Sequence, residues 1–121
     1  MMLLTKANLA RLRRNAEASA AAMGEDLGHF PVVKLFTPFS TATWLLSELD
    51  QDGIAFGLCD LGMGAPELGY VDLKELTDLS GPYGLLLGRY RLRVRRDLHF
   101  KANKTLTQYA DAARMAGSIE A

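Results

Sequence analysis

Cysteine and histidine are scarce in this chain: one cysteine and two histidines stand among 121 residues. The lone Cys59 excludes an intrachain disulfide, and a zinc site would have to be completed almost entirely by other ligands. The fold must therefore stand on packing. No apolar run approaches the roughly 18 residues of a membrane span. The opening Met1-Met2-Leu3-Leu4-Thr5-Lys6 has no long apolar region of the secretory kind, so the expected location is the cytoplasm, away from membranes. Net charge is also missing, with 14 basic residues against 14 acidic. A dedicated duplex-DNA binder is usually basic overall, because neutralising phosphates supplies most of its affinity. What is present is 49% hydrophobic residues, enough for one globular domain with a core of its own, expected to span residues 1–121.

The zero net charge conceals a separation along the chain. Residues 1–30 carry four basic and three acidic side chains, 31–82 carry two and eight, and 83–121 carry eight and three. The middle is acidic and the end basic.

Residues 1–24 read as an amphipathic helix, with Leu9, Leu12, Ala16, Ala20 and Met23 spaced three or four apart, Thr5 as N-cap and Gly24 as the stop. The apolar stripe is narrow and mostly alanine. A linker at 25–31 leads into a sheet region at 32–100. Its first strand is 32–36, and the run 41–49, ambiguous by period alone, is assigned to a strand because of its threonines and Trp44. Asp50-Gln51-Asp52-Gly53 is turn chemistry leading into Ile54, as in a hairpin with Gly53 at positive φ.

The stretch 54–71 organises the rest: an apolar strand, Ile54-Ala55-Phe56-Gly57-Leu58, a turn at Gly62-Met63-Gly64-Ala65-Pro66, and a second strand, Leu68-Gly69-Tyr70-Val71. Gly62, Gly64 and Gly69 are expected at positive φ or at close strand approaches. They are not a phosphate loop, because no helix follows directly to supply amides. A capping box at Asp72 and Glu75 opens a short helix at 73–79, and Thr105 with Gln108 opens a C-terminal helix at 105–116. Between them, 85–100 carries the clearest alternation in the chain and is expected as one long strand. The predicted fold class is α+β, a single small domain with a mainly antiparallel sheet of four to five strands, an N-terminal helix, a short middle helix and a C-terminal helix.

Arg89, Arg91, Arg93 and Arg95 line one face of that expected strand and are the candidate partner-binding residues. Like charges two residues apart repel, so something acidic should lie opposite them. Three readings are open. The acidic middle, with Glu48, Asp50, Asp52, Asp60 and Glu67, can neutralise the row internally; an acidic protein surface can meet it; or nucleic-acid phosphates can. Cys59 with His99 invites a nucleophile-and-base reading, yet Cys59 between Leu58 and Leu61 has the setting of a small buried hydrophobe. Asp60, Glu67, Asp97 and His99 match no strong metal motif. No catalytic residue, metal or cofactor is assigned.

The segments Val32-Val33-Lys34-Leu35-Phe36-Thr37-Pro38, Thr43-Trp44-Leu45-Leu46-Ser47-Glu48-Leu49-Asp50, Pro66-Glu67-Leu68-Gly69-Tyr70-Val71 and Arg96-Asp97-Leu98-His99-Phe100, with Ile54 through Gly64, resemble a domain-of-unknown-function family of small proteins carried on bacterial plasmids, conjugative elements and other mobile DNA. The resemblance covers nearly the whole chain and carries over no catalytic residues. Between Leu86 and Arg95 the chain departs from the family pattern, where relatives pass more briefly to Arg-Asp-Leu-His-Phe. The arginine row is therefore expected to be a partner-specific surface.

Compactness, the separation of charge and the lack of a convincing catalytic constellation, with the mobile-element context of the resemblance, lead to the expectation of a non-enzymatic accessory protein of a mobile element, acting by binding a macromolecule. An acidic protein surface is the expected partner, belonging to a host defence system (restriction or CRISPR-Cas) or to the element's maintenance machinery. The alternatives are a nucleic-acid-binding module using the arginine strand and a small enzyme using Cys59 and His99.

Overall fold

The computed structural model describes residues 3–38, 41–79, 85–87 and 90–121, with backbone alone at 85–87 and 90–92. The elements run α1 (Lys6–Ala21), β1 (Val33–Phe36), β2 (Thr43–Leu49), β3 (Ile54–Asp60), β4 (Glu67–Asp72), α2 (Leu73–Asp78), β5 (Leu85–Leu87), β6 (Tyr90–Leu92), β7 (Arg95–Arg96) and α3 (Leu106–Ala116). This is the expected α+β fold with its three helices. Five strands form one antiparallel sheet in the order β4-β3-β2-β1-β7, and β5 pairs with β6 separately. No helix among the described residues is long and apolar enough to cross a membrane.

Both long helices start where their side chains can satisfy the first free amides. Thr5 accepts from the Asn8 N–H and Asn8 returns a bond to the Thr5 N–H; Thr105 and Gln108 repeat the arrangement at α3. Asp72 caps α2 by accepting from the Lys74 N–H, one position before a capping box would place the bond. Gly53 sits at φ +81° in the β2–β3 turn, as the turn chemistry requires.

Alternation along the strands gives the sheet two apolar faces. On one, Leu35, Trp44, Leu46, Leu49 and Ala55 pack with Leu12 of α1 and Leu76 of α2. Leu12 is fully buried, and burial of one leucine at roughly 1.5–3 kcal/mol docks α1 despite its narrow alanine stripe. On the other face, Leu45 and Leu58 pack with Leu106, Tyr109 and Ala113 of α3. The register of β2 against β3 shifts between Leu46 and Glu48, which turns Glu48 to the α3 face opposite Phe56.

Two expectations are corrected. The alternating run 85–100 is not one strand: β5 and β6 pair with each other, and of its described residues only Arg95 and Arg96 join the large sheet, on β1. Val94, at an apolar position of the alternation, is buried, and its N–H bonds the Leu79 carbonyl instead of a strand. Gly69 has no positive φ and nothing within 4 Å of where its Cβ would lie, so it is neither a turn glycine nor a close approach. The close approach is at Gly57, where a Cβ would lie 2.0 Å from the Leu45 carbonyl oxygen.

Candidate functional site

Of the predicted arginines, Arg95 lies on the large sheet, on β7, whereas the backbone of Arg91 lies on β6, which pairs with β5 in a separate sheet. Arg89 lies outside the described residues, as does the side chain of Arg91. Arg93 is half-buried and engaged, and Arg95 is exposed on β7 opposite Phe36. Arg96, absent from the candidate set, donates from Nη1 to the Leu3 carbonyl at 2.8 Å and so fastens the start of the chain to the sheet edge.

The acidic side chains are elsewhere. Asp60 lies three strands and Glu67 four strands from β7, and Asp50 and Asp52 lie in the β2–β3 turn, at the far end of β2 from Thr43, which is in line with Arg95 through Phe36. Across such distances, about 14 Å or more at 4.7–4.9 Å per strand, they cannot pair with Arg95. Asp60 is buried and serves the fold: Oδ1 accepts from the Gly62 N–H at 2.8 Å and Oδ2 from the Ile119 N–H at 3.0 Å. Asp97 pairs with Lys34 at 3.6 Å, and His99 is exposed beyond β7. Cys59 lies on β3 against the α1-side core, where burial pushes its thiol pKa up, three strands from β7, beyond whose end His99 follows. No group of three or more metal-ligating side chains occurs among the described residues.

A concavity that sequence reasoning did not single out lies beside α1. A cleft of about 520 Å³ opens on the α3 side of the sheet, between the C-terminal half of α1, the linker and the start of α3. Its floor is a ladder across three strands: Glu48 on β2 lies opposite Phe56 on β3, and Phe56 opposite Tyr70 on β4. The rings of Phe56 and Tyr70 meet at 5.0 Å, tilted by 53°, and Tyr70 is 75% exposed. Ala16 and Ala20 of α1 line this cleft and a neighbouring one of about 550 Å³ that reaches Arg13, Asp50 and Asp52. Alanine is too short to fill the gap beside the sheet, which is why the small stripe of α1 leaves room there.

A chain of hydrogen bonds crosses the cleft wall. The Ser19 hydroxyl donates to Glu48 Oε2 at 3.0 Å, and His29 Nε2 lies 3.2 Å from Ser19 Oγ. With its proton given to the carboxylate, the hydroxyl accepts from His29, so Nε2 carries the proton. An activated serine needs the opposite polarity, with its proton directed to the imidazole. His29 is held by its own carbonyl, which accepts from the Leu106 N–H at 2.9 Å, and by Asp26, which accepts from the Gly28 N–H and the Thr107 hydroxyl. Those two bonds, aided by His29, hold the Asp26 carboxyl below its ordinary pKa. None of the ion pairs among the described residues involves Glu48, Asp50, Asp52 or Glu67.

The match to a family model, described as Protein of unknown function (DUF2958), covers residues 3–120. The chain belongs to that family. Membership in DUF2958 fits the block-by-block resemblance in the sequence and assigns no residue a role. No curated protein and no solved structure matches the chain.

Proposed function

We propose that this DUF2958 protein acts by binding a macromolecule and carries out no chemistry of its own. The observation that supports this is the separation of unneutralised charge across one sheet: exposed carboxylates around β3 and β4 at one side, Arg95 at the opposite edge. Surfaces of opposite sign that do not neutralise each other raise encounter rates with, and select, partners of complementary charge. The polarity of the Ser19–Glu48 bond argues against the nucleophile that the cleft otherwise invites.

The finer reading follows the resemblance rather than the geometry: a cytoplasmic accessory protein of a mobile genetic element, directed at a host-defence protein or at the element's maintenance machinery. Arg89, Arg91, Arg93 and Arg95 are the residues assigned to an acidic partner surface, with nucleic acid as the second reading.

The test is a tagged pull-down from bacterial lysate with and without nuclease, run on the native chain, on the Arg91→Glu, Arg93→Glu double variant and on Arg95→Glu. Retention of a protein after nuclease and its loss on reversal would support the acidic-partner reading. Nucleic acid alone, lost with nuclease and steeply with salt, would move the assignment to a nucleic-acid module. Nothing retained at low salt would reject the binding reading.

A further inference from the structure

The outer face of α1 is charged against the ordinary preferences of a helix. From Lys6 to Ala16 the chain carries four cations, Lys6, Arg11, Arg13 and Arg14, and no carboxylate. Free N–H groups and the helix dipole make the start of a helix positive, so its first turn favours acidic side chains. The first turn of α1 has none, and Lys6 stands at its first position. Arg11 and Arg14, three residues apart, are neighbours of like charge on the helix surface and oppose it further.

Nothing among the described residues relieves this charge. All four cations are exposed, and none belongs to an ion pair. Glu17 is spaced one turn from Arg13 and does not pair with it. Asp50 shares a cleft with Arg13 but accepts from the Asp52 and Ile54 N–H groups of its own turn.

The cations share the side of α1 that faces away from the sheet. Leu12 is fully buried in the core. At about 100° per residue, Arg14 points about 160° away from Leu12, Arg11 and Arg13 about 100° to either side, and Lys6 about 120° away on the Arg13 side, all within about 12 Å of helix. The surface between them is Ala7 and Ala10, both exposed. Side chains this short let a bulky anion come close to the helix while the longer cations reach around it.

The same face selects the kind of polyanion. Between Lys6 and Arg14 it has no aromatic ring and no exposed leucine, isoleucine, valine or methionine. A protein partner draws most of its affinity from such anchors, and a bilayer needs them to bury among its acyl chains. A phosphodiester backbone needs neither, because neutralising its phosphates releases counterions. Three of the four cations are arginine, whose planar fork matches a phosphate. The amides that could read base edges are turned elsewhere: Asn8 serves Thr5 and Arg96, and Asn15 serves the Ser47 carbonyl.

We propose that the outer face of α1 binds the phosphate backbone of a nucleic acid without sequence preference, through Lys6, Arg11, Arg13 and Arg14. This goes beyond the binding reading above: it adds a second ligand, on a different element from Arg89, Arg91, Arg93 and Arg95.

The test is fluorescence anisotropy with labelled duplexes of unrelated sequence and a labelled single strand, with polyglutamate as competitor. The duplexes should bind alike, and affinity should fall on the order of a hundredfold between about 50 and about 200 mM salt, the slope of four released counterions. Tighter binding of either the duplex or the single strand supports the proposal and names the source of the phosphates. Arg11→Ala with Arg14→Ala puts the best helix former at two exposed positions, so the unfolding midpoint should hold or rise. The salt slope of that variant should fall by about 2. No binding at low salt, a slope unmoved by the double variant, displacement by polyglutamate as ready as by unlabelled nucleic acid, or a marked preference among the duplexes would each overturn the proposal. The pull-down keeps the two readings apart: a protein retained after nuclease by the native chain and the α1 variant alike, with no nucleic acid on either, removes the α1 proposal alone.

Discussion

The side-chain amide of Asn15 donates to the Ser47 carbonyl at 2.9 Å, at the point where β1 pairs no further along β2. A helix side chain thereby takes the place of a strand neighbour. Asn15→Ala leaves that carbonyl unpaired in a partly buried setting and should cost about 1–2 kcal/mol. A shift in urea midpoint with unchanged slope would confirm it.

Two glycines in adjacent strands should respond oppositely. Gly57→Ala drives a methyl group into the Leu45 carbonyl and is expected to cost about 3 kcal/mol. Gly69→Ala meets open space at an unexceptional φ and should be neutral or stabilise by about 0.5 kcal/mol. Equal effects in thermal denaturation would refute this account of the sheet.

Asp60→Ala strands two N–H groups that a buried carboxylate now serves, with an expected loss of about 3 kcal/mol. Asp60→Asn keeps one acceptor and should lose about half of that. Metal addition should leave both unfolding midpoints where they are; a metal-dependent rise in the native protein alone would return Asp60 to the list of ligands.

Cys59 is half-buried with its thiol pKa raised by desolvation. Iodoacetamide should react more slowly than with free cysteine at pH 8, and the rate should still be climbing above the free-thiol midpoint. Urea should restore the ordinary rate. Fast alkylation of the folded protein would reopen the thiol chemistry.

Asp26 has its folded pKa lowered, first by the Gly28 N–H and then by Thr107. A depressed carboxyl contributes stability that is present above its unfolded value, near 3.8, and is lost as pH falls through the lower folded value. The group is exposed, so the effect is small. Comparison of acid unfolding in the native chain and Asp26→Asn should show it as a flatter profile in the variant.

Helix starts were legible because a cap is local: Thr5 with Asn8, and Thr105 with Gln108, are three residues apart. The β2–β3 hairpin was legible for the same reason, through Asp50 and Gly53. The run 85–100 misled because an alternating pattern reads alike in one long strand and in a hairpin followed by a short edge strand; Val94 satisfies the apolar position from outside any ladder. The cleft was hidden more deeply. Ser19, His29 and Glu48 come from a helix, a linker and a strand, separated by 10 and 29 residues, so no spacing rule joins them. The one local sign was alanine at 16 and 20, where a helix packed along its whole length would carry larger side chains.

Two ties close the molecule on itself: Arg96 to Leu3, across 93 residues of sequence, and Asp60 to Ile119, across 59. Neither can form until the intervening strands are in register, and neither repays its loop-closure entropy before then. Both chain ends are thus committed late, from opposite directions, onto a sheet already made. Folding speed in this chain is therefore expected to follow long-range closure rather than its well-capped helices.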